Sequence, residues 1–235
     1  MGFYRGPHIV TDGLVLSLDA GNTKSYQSGS TTWFDKSGRG NNGTLTNGPT
    51  FSSANGGSIV FDGSNDFVVI PFIFNTSTNY TIEVTTKCNT MITDPSPQNR
   101  QTIWSFSSGS SQGFQLLDLE IWNDGVTSFN GDNVNFNASI IGAFFPIGAN
   151  NLRTYTLSKS GTNQAWYIDA VFRANATQTY TGTSEFFKLG SRGGGSTGTG
   201  QQWNGLTYSA KIYNRALSAA EVEQNYNATK SRFNL

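Results

Sequence analysis

One cysteine, one histidine and a charged fraction of only 13% leave this 235-residue chain poor in the residues from which most catalytic and metal sites are built. Each shortage excludes something. The lone Cys88 cannot close an intrachain disulfide, and its place at the end of the apolar-polar stretch 80–88 predicts a buried thiol. His8 lies near the N-terminus, so a Ser-His or Cys-His nucleophile has no base unless that arm folds back. Zinc centres, which draw on several His or Cys ligands, are excluded with it. Fifteen basic residues balance fifteen acidic ones, which leaves no electrostatic footprint for nucleic acid or an anionic membrane. No run of about 18 apolar residues occurs, so no membrane insertion by a helix is expected. The first eight residues lack the apolar core of a secretory signal peptide, which predicts synthesis in the cytoplasm.

What the chain does hold is glycine (27) and phenylalanine (17), a balance that suits many short strands joined by tight turns. Period-two alternation is the dominant pattern. Leu14, Leu16 and Leu18 share one face of a first strand; Tyr80, Ile82 and Val84 share another, opposite Thr81, Glu83 and Thr85 on what reads as a solvated face. Trp166, Ile168, Ala170 and Phe172 alternate in one run, and Leu206, Tyr208, Ala210 and Ile212 do so late in the chain. Asn-Gly pairs at Asn42, Asn47, Asn55, Asn130 and Asn204, and Asp-Gly pairs at Asp12, Asp62 and Asp124, mark turns. One helix is signalled, over 218–229: Ser218 caps, Glu221 completes a capping box, Leu217 and Val222 form a hydrophobic staple, and Val222 with Tyr226 makes the apolar stripe. The Gly/Ser/Thr-rich stretch 193–200 is too short to separate domains and lacks the Gly-Lys-Ser/Thr of a phosphate loop. The expectation is an all-β chain: a single antiparallel two-sheet β-sandwich over 12–235 with one short C-terminal helix, preceded by an arm, 1–11.

Three sets of residues carry what chemistry there is. Asp118 and Glu120, two apart on a presumed strand and close to Trp122, have the roughly 5 Å spacing of a retaining glycosidase pair; the competing reading is a solvated face with Leu117, Leu119 and Ile121 buried opposite. Trp33, Trp122 and Trp203 with Asp124 and Asn204 could combine an aromatic platform with amide and carboxylate groups for carbohydrate binding, although tryptophan in a sandwich is more often core. Asp19, Asp62, Asn65 and Asp66 supply hard oxygens for calcium, the one cofactor considered, while Asp62-Gly63 and Asn65-Asp66 also read as a tight turn.

An ordered set of motifs then stands out: Gly13-Leu-Val-Leu-Ser-Leu-Asp19, Trp33-Phe-Asp35-Lys-Ser-Gly38 with Asn41-Asn-Gly-Thr-Leu45, Ser58-Ile-Val-Phe-Asp62-Gly-Ser-Asn-Asp66-Phe-Val, and the closing Trp203 to Val222 segment. Together they resemble the laminin-G-like and concanavalin A-like lectin family, over nearly the whole chain and most weakly from Cys88 to Phe145. The resemblance implies a jelly-roll sandwich. It also implies a glycosidase alternative on Asp118 and Glu120, against which Leu116 stands where the similar motif carries an acidic nucleophile. Domains of this kind that open a chain directly are similar to virion surface proteins of tailed bacteriophages. On that analogy the chain is a non-catalytic decoration protein on the virion surface or a tail-fibre receptor-binding module. Its partners would be capsid or tail proteins and cell-surface glycans, with the arm as a clamp. Neutral surfaces rich in Tyr and Phe make a homo-oligomer plausible.

Overall fold

The computed structural model describes residues 7–90, 100–107, 115–122, 127–130, 151–177, 182–192, 201–233 and 235. The strands in chain order are β1 (Leu14–Asp19), β2 (Thr32–Trp33), β3 (Gly43–Thr46), β4 (Thr50–Ser52), β5 (Ser58–Asp62), β6 (Phe67–Asn75), β7 (Tyr80–Cys88) and β8 (Arg100–Ser107). They continue with β9 (Gln115–Trp122), β10 (Thr127–Asn130), β11 (Leu152–Ser160), β12 (Asn163–Ile168), β13 (Val171–Thr177), β14 (Thr183–Leu189) and β15 (Asn204–Tyr213), and helix α1 (Ala219–Phe233) closes the chain. Two antiparallel sheets result, as the alternation predicts. One runs β13-β12-β11-β7-β15-β5-β4, with β1 and β5 sharing one edge of β15 end to end. The other runs β10-β9-β8-β14-β6-β3-β2.

The core lies between them. Val68, Ile70, Phe72 and Phe74 point inward from β6 and meet Phe106 and Phe187 of the same sheet and Leu16, Ile82, Val84 and Trp166 of the other. Phe74 stacks on Phe106 at 4.1 Å and 13°, and Phe106 packs against Phe187 at 4.9 Å, close ring contacts in the middle of the core. Cys88 is buried in this core, as expected, and burial pushes its thiol up to about 11. Since the thiolate is the reactive form, folded protein at pH 8 should resist maleimide labelling, and labelling should follow unfolding; rapid native-state labelling would contradict this burial.

A second apolar layer was not legible. Thr81, Glu83 and Thr85, read from the sequence as a solvated face, are all buried. Helix α1 and residues 9–10 cover them: Val10, Leu14, Tyr167, Tyr213, Leu217 and Val222 form a separate cluster on the outer side of the first sheet. Beneath the helix, Lys211 Nζ donates to Glu83 Oε1 at 2.7 Å, and Asn225 Nδ2 donates to Glu83 Oε2 at 3.2 Å and to Tyr213 OH at 2.9 Å. Val10, assigned to the arm from sequence, donates its N–H to Asn225 Oδ1 and accepts from Tyr213 OH. The domain thus begins before residue 12.

The helix starts as predicted. Ser218 N–H donates to Glu221 Oε2 at 2.9 Å and Glu221 N–H donates to Ser218 Oγ at 3.3 Å, the two halves of a capping box. It ends four residues later than 229, because Phe233 is buried edge-on against Tyr208 and Arg232 binds Asp19 at 2.6 Å. Its buried face is Val222, Asn225 and Phe233; Tyr226 stays half-exposed, since an asparagine whose amide is satisfied by Glu83, Tyr213 and Val10 can be buried without penalty. Arg215 grips both oxygens of Glu221, at 3.0 and 2.6 Å, and together with the Ser218 bonds lowers that carboxyl to about 2. A depressed folded-state pKa contributes stability above the unfolded carboxylate range and loses it as pH falls toward 2. Glu221→Ala should therefore cost about 1 kcal/mol at pH 7 and almost nothing at pH 2, as measured by urea unfolding.

Two turn assignments are corrected. Asn42-Gly43 and Asn204-Gly205 are not turns; both glycines sit in strands, where a Cβ would lie 2.7 Å from Val68 Cγ1 and 2.4 Å from the Lys87 carbonyl respectively. Conversely, the run read as one strand through Ala170 is a hairpin: Asp169 and Ala170 take φ of 52° and 62° between the paired Ile168 and Val171, the geometry of a two-residue type I′ turn. Asp169 makes this work, accepting from Thr154 N–H at 2.9 Å and Arg153 Nη1 at 2.7 Å. Among the described residues no helix is long and apolar enough to cross a membrane.

Candidate functional site

The site follows from one short strand. β3 has four residues and pairs with β6 only along Phe67–Val69. Residues 71–75 of β6 therefore have β14 on one side and no strand on the other among the described residues. Pro71, in mid-strand, is the sequence sign of such an edge, because it cannot donate to a ladder. Between this free half-strand and the Ile212–Tyr213 end of β15, with Asn214 just beyond it, lies a groove of about 490 Å³. Arg39, Asn41, Asn75, Asn79 and Asn214 line it around Ile73, which is 81% exposed, with Phe72 and Phe74 beneath.

Some of these polar groups are engaged and others are open. Asn79 Oδ1 accepts from Gly161 N–H at 2.8 Å, Asn75 Oδ1 accepts from Ser77 N–H at 2.9 Å, and Asn41 Nδ2 donates to the Val15 carbonyl at 2.8 Å. Each bond fixes an amide plane and leaves further capacity, notably the Nδ2 groups of Asn75 and Asn79. The Asn214 amide and the Arg39 guanidinium make no hydrogen bond to any described residue and belong to no ion pair among them. Lys159 closes the back of the neighbouring turn, donating to the Thr78 carbonyl at 3.0 Å; burial lowers its pKa. Among the described residues the lining contains no carboxylate, thiol or imidazole. Such a surface can hold a polar ligand by donors, acceptors and one apolar contact.

The sequence candidates fall elsewhere. Trp33 and Trp203 are fully buried in the sandwich core, so neither presents a platform: the rings that looked most like a sugar shelf are packing. Asn204 begins β15, its N–H donating to Gln101 Oε1 at 2.7 Å. Backbone register places Asp118 opposite Ser105 and Glu120 opposite Thr102 on β8; the side chains of Asp118, Glu120 and Trp122, and all of Asp124, lie outside the described residues. Leu117 and Leu119 are buried in the core, as the solvated-face reading of that strand requires. In the same cross-strand row stand Val69, Lys188 and Ser105. Lys188 was passed over in the sequence; it is fully buried, 5.5 Å over the Phe67 ring, and burial lowers its amine to about 8.

The calcium candidates do not converge. Asp19 binds Arg232 and the Gly21 N–H; Asp62 Oδ1 accepts from Ser64 N–H at 2.7 Å, and Asp66 Oδ2 accepts from Asp62 N–H at 3.1 Å. The Asn65 carbonyl accepts from Asn47 Nδ2. Burial raises Asp66, with the nearby Asp62 charge adding to it, which weakens it as a metal ligand. Asp19 pairs with Ser209 and Asp62 with Asn204, so the two lie about 17 Å apart at about 3.3 Å per residue. No group of three or more His, Cys, Asp or Glu is placed to hold a metal among the described residues. These residues fit turn and helix-tethering roles, not a calcium cage.

No protein-family model matches the chain, and no curated protein sequence matches it. Solved structures do. Domain 4 of AbnA, a GH43 extracellular arabinanase from Geobacillus stearothermophilus, in complex with arabinotriose, superposes with a TM-score of 0.64 at 16% identity over 91% of this chain and 98% of that one. A β-sandwich fold fits this chain. Trypanosoma rangeli sialidase in complex with sialic acid gives a TM-score of 0.66 at 15% identity, covering 94% of this chain and 33% of the sialidase. The binding domain of botulinum neurotoxin serotype D gives 0.62 at 13% identity, covering 92% and 52%. The chain thus spans about one third of the sialidase and about half of the toxin chain.

Proposed function

We propose that this chain is a non-catalytic carbohydrate-binding β-sandwich that seats a short saccharide in the groove beside the free half of β6. The observation that carries this reading is the groove itself: amides with hydrogen-bonding capacity left over and a guanidinium arranged around an exposed isoleucine. Sugar hydroxyls need paired donors and acceptors, and the C–H faces of the ring need an apolar contact. The neighbouring folds lend support, since one is a domain bound to arabinotriose and another a sialidase bound to sialic acid. Calorimetric titration against a glycan panel should find binding, and Ile73→Ser with Asn214→Ala should weaken it by about thirtyfold, at about 1 kcal/mol per lost contact. Neither side chain supports the core, so folding should be unchanged. A panel with no binder, or full affinity in the double variant, would sink the proposal.

The glycosidase alternative on Asp118 and Glu120 makes a different prediction: release of reducing ends that Glu120→Gln abolishes. The non-catalytic reading expects none. The motif resemblance extends the proposal to a place on a phage virion, as a decoration protein or a tail-fibre receptor-binding module. Because Val10 is part of the fold, that placement is tested by deleting residues 1–6 rather than 1–11. Loss of sedimentation with capsids or tails is the expected result, and unchanged sedimentation the contrary one.

A further inference from the structure

The loop that carries Arg39 is built to hold it still. Asp35 is buried and anchors both ends: its Oδ1 accepts from Ser17 N–H and Ser37 N–H, each at 2.8 Å, and its Oδ2 accepts from Ser37 Oγ at 2.7 Å and Asn41 N–H at 3.1 Å. Asn41 Nδ2 donates to the Val15 carbonyl of β1 at 2.8 Å, and Ser37 Oγ, whose single proton can serve either Asp35 Oδ2 or that carbonyl, lies 3.0 Å from it. Between those clamps Gly38 and Gly40 take φ of 85° and 78°, with open space where a Cβ would be. They are glycine for the left-handed turn and not for lack of room. The conformation so fixed puts Arg39 at the tip, between two left-handed residues, on the wall of the groove. The stretch from Asp35 to Asn42, which stands out in the sequence without an evident task, is thus the mount of one arginine.

Among the described residues Arg39 is the sole charged residue of the lining, and no carboxylate of that lining answers it. Three other arginines among the described residues are held in ion pairs: Arg215 by Glu221 and Asp12, Arg153 by Asp169, Arg232 by Asp19. The loop fixes the backbone from which Arg39 projects, and its guanidinium offers two parallel N–H donors that match a carboxylate in bidentate fashion. The backbone ordering is already met by the loop, so on binding only the Arg39 side chain has to be ordered.

Resting on the carbohydrate-binding reading above, we infer that the groove selects saccharides bearing a carboxylate, a uronic or sialic acid, with Arg39 as the specificity-determining residue. The test uses matched pairs: trigalacturonate beside its methyl ester, and sialyllactose beside lactose, titrated calorimetrically at low salt. At least one acidic member should bind about tenfold more tightly than its neutral partner, with the advantage shrinking at 0.5 M salt. Arg39→Gln should bring the pair within about twofold, whereas Asn214→Ala should weaken both members alike; Arg39→Lys, which keeps charge but not the fork, should recover only part of the preference. Matching thermal midpoints of these exposed-loop variants establish that folding is intact. Equal affinity within both pairs, or an acid preference that survives Arg39→Gln, overturns the inference while leaving sugar binding standing. No binding of any of the four overturns the inference, and a glycan panel with no binder at all overturns both.

Discussion

Replacing Lys211 by methionine should cost about 3–5 kcal/mol of folding stability, among the largest single-site effects in this protein. The side chains of Lys211 and Glu83 are 5% and 1% exposed, 2.7 Å apart, and face each other across β15 and β7 under helix α1. Without the ammonium, Glu83 keeps only the Asn225 amide, and a carboxylate remains in a desolvated layer. Loss would spread outward, since the same Asn225 holds Val10 and Tyr213. The double variant Glu83→Gln/Lys211→Met removes both charges and should recover more than half of the loss. Urea unfolding of the two variants decides it. A single variant as stable as wild type, or a double variant as unstable as the sum of two singles, would show that the ion pair does not hold the helix to the sheet.

Trp203→Ala should be comparably severe, about 3–5 kcal/mol, and should leave the sugar affinity of the folded fraction unchanged. The indole is fully buried and lies flat enough on β15 that a Cβ at Gly205 would meet its ring at 2.4 Å. Its N–H donates to nothing among the described residues, so Trp203→Phe, which gives up volume but no hydrogen bond, should cost clearly less. Thermal unfolding together with titration separates packing from recognition. If Trp203→Ala stayed stable and lost sugar binding, the assignment of this ring to the core would be wrong.

Much of the sandwich was legible because strand burial leaves a period of two, and the capping box at Ser218 and Glu221 is a local device that needs no tertiary context. The misreadings have specific causes. Glu83 looked solvated because alternation reports one buried face, while α1 buries the other. Ala170 carried the alternation through a hairpin because the turn is enforced by bonds from Arg153 and Thr154 to Asp169, and not by a glycine. Gly43 and Gly205 mimicked turns, yet they are glycine because backbone or side chains from other strands approach them. The groove was hidden for a similar reason. Arg39, Ile73, Asn79 and Asn214 are distant in sequence and unremarkable alone, and only the shortness of β3 opens the edge that gathers them. Pro71 was the one local sign of that edge.

The central claim is that a saccharide occupies the groove beside β6, and an amide chemical-shift titration with the tightest-binding glycan tests it most directly. The account predicts shifts concentrated at residues 39–41, 73–79 and 212–214, with strands β8 and β9 quiet. Shifts concentrated instead on Thr102, Ser105, Asp118, Glu120 and Lys188 would contradict it and place recognition on the outer face of the second sheet.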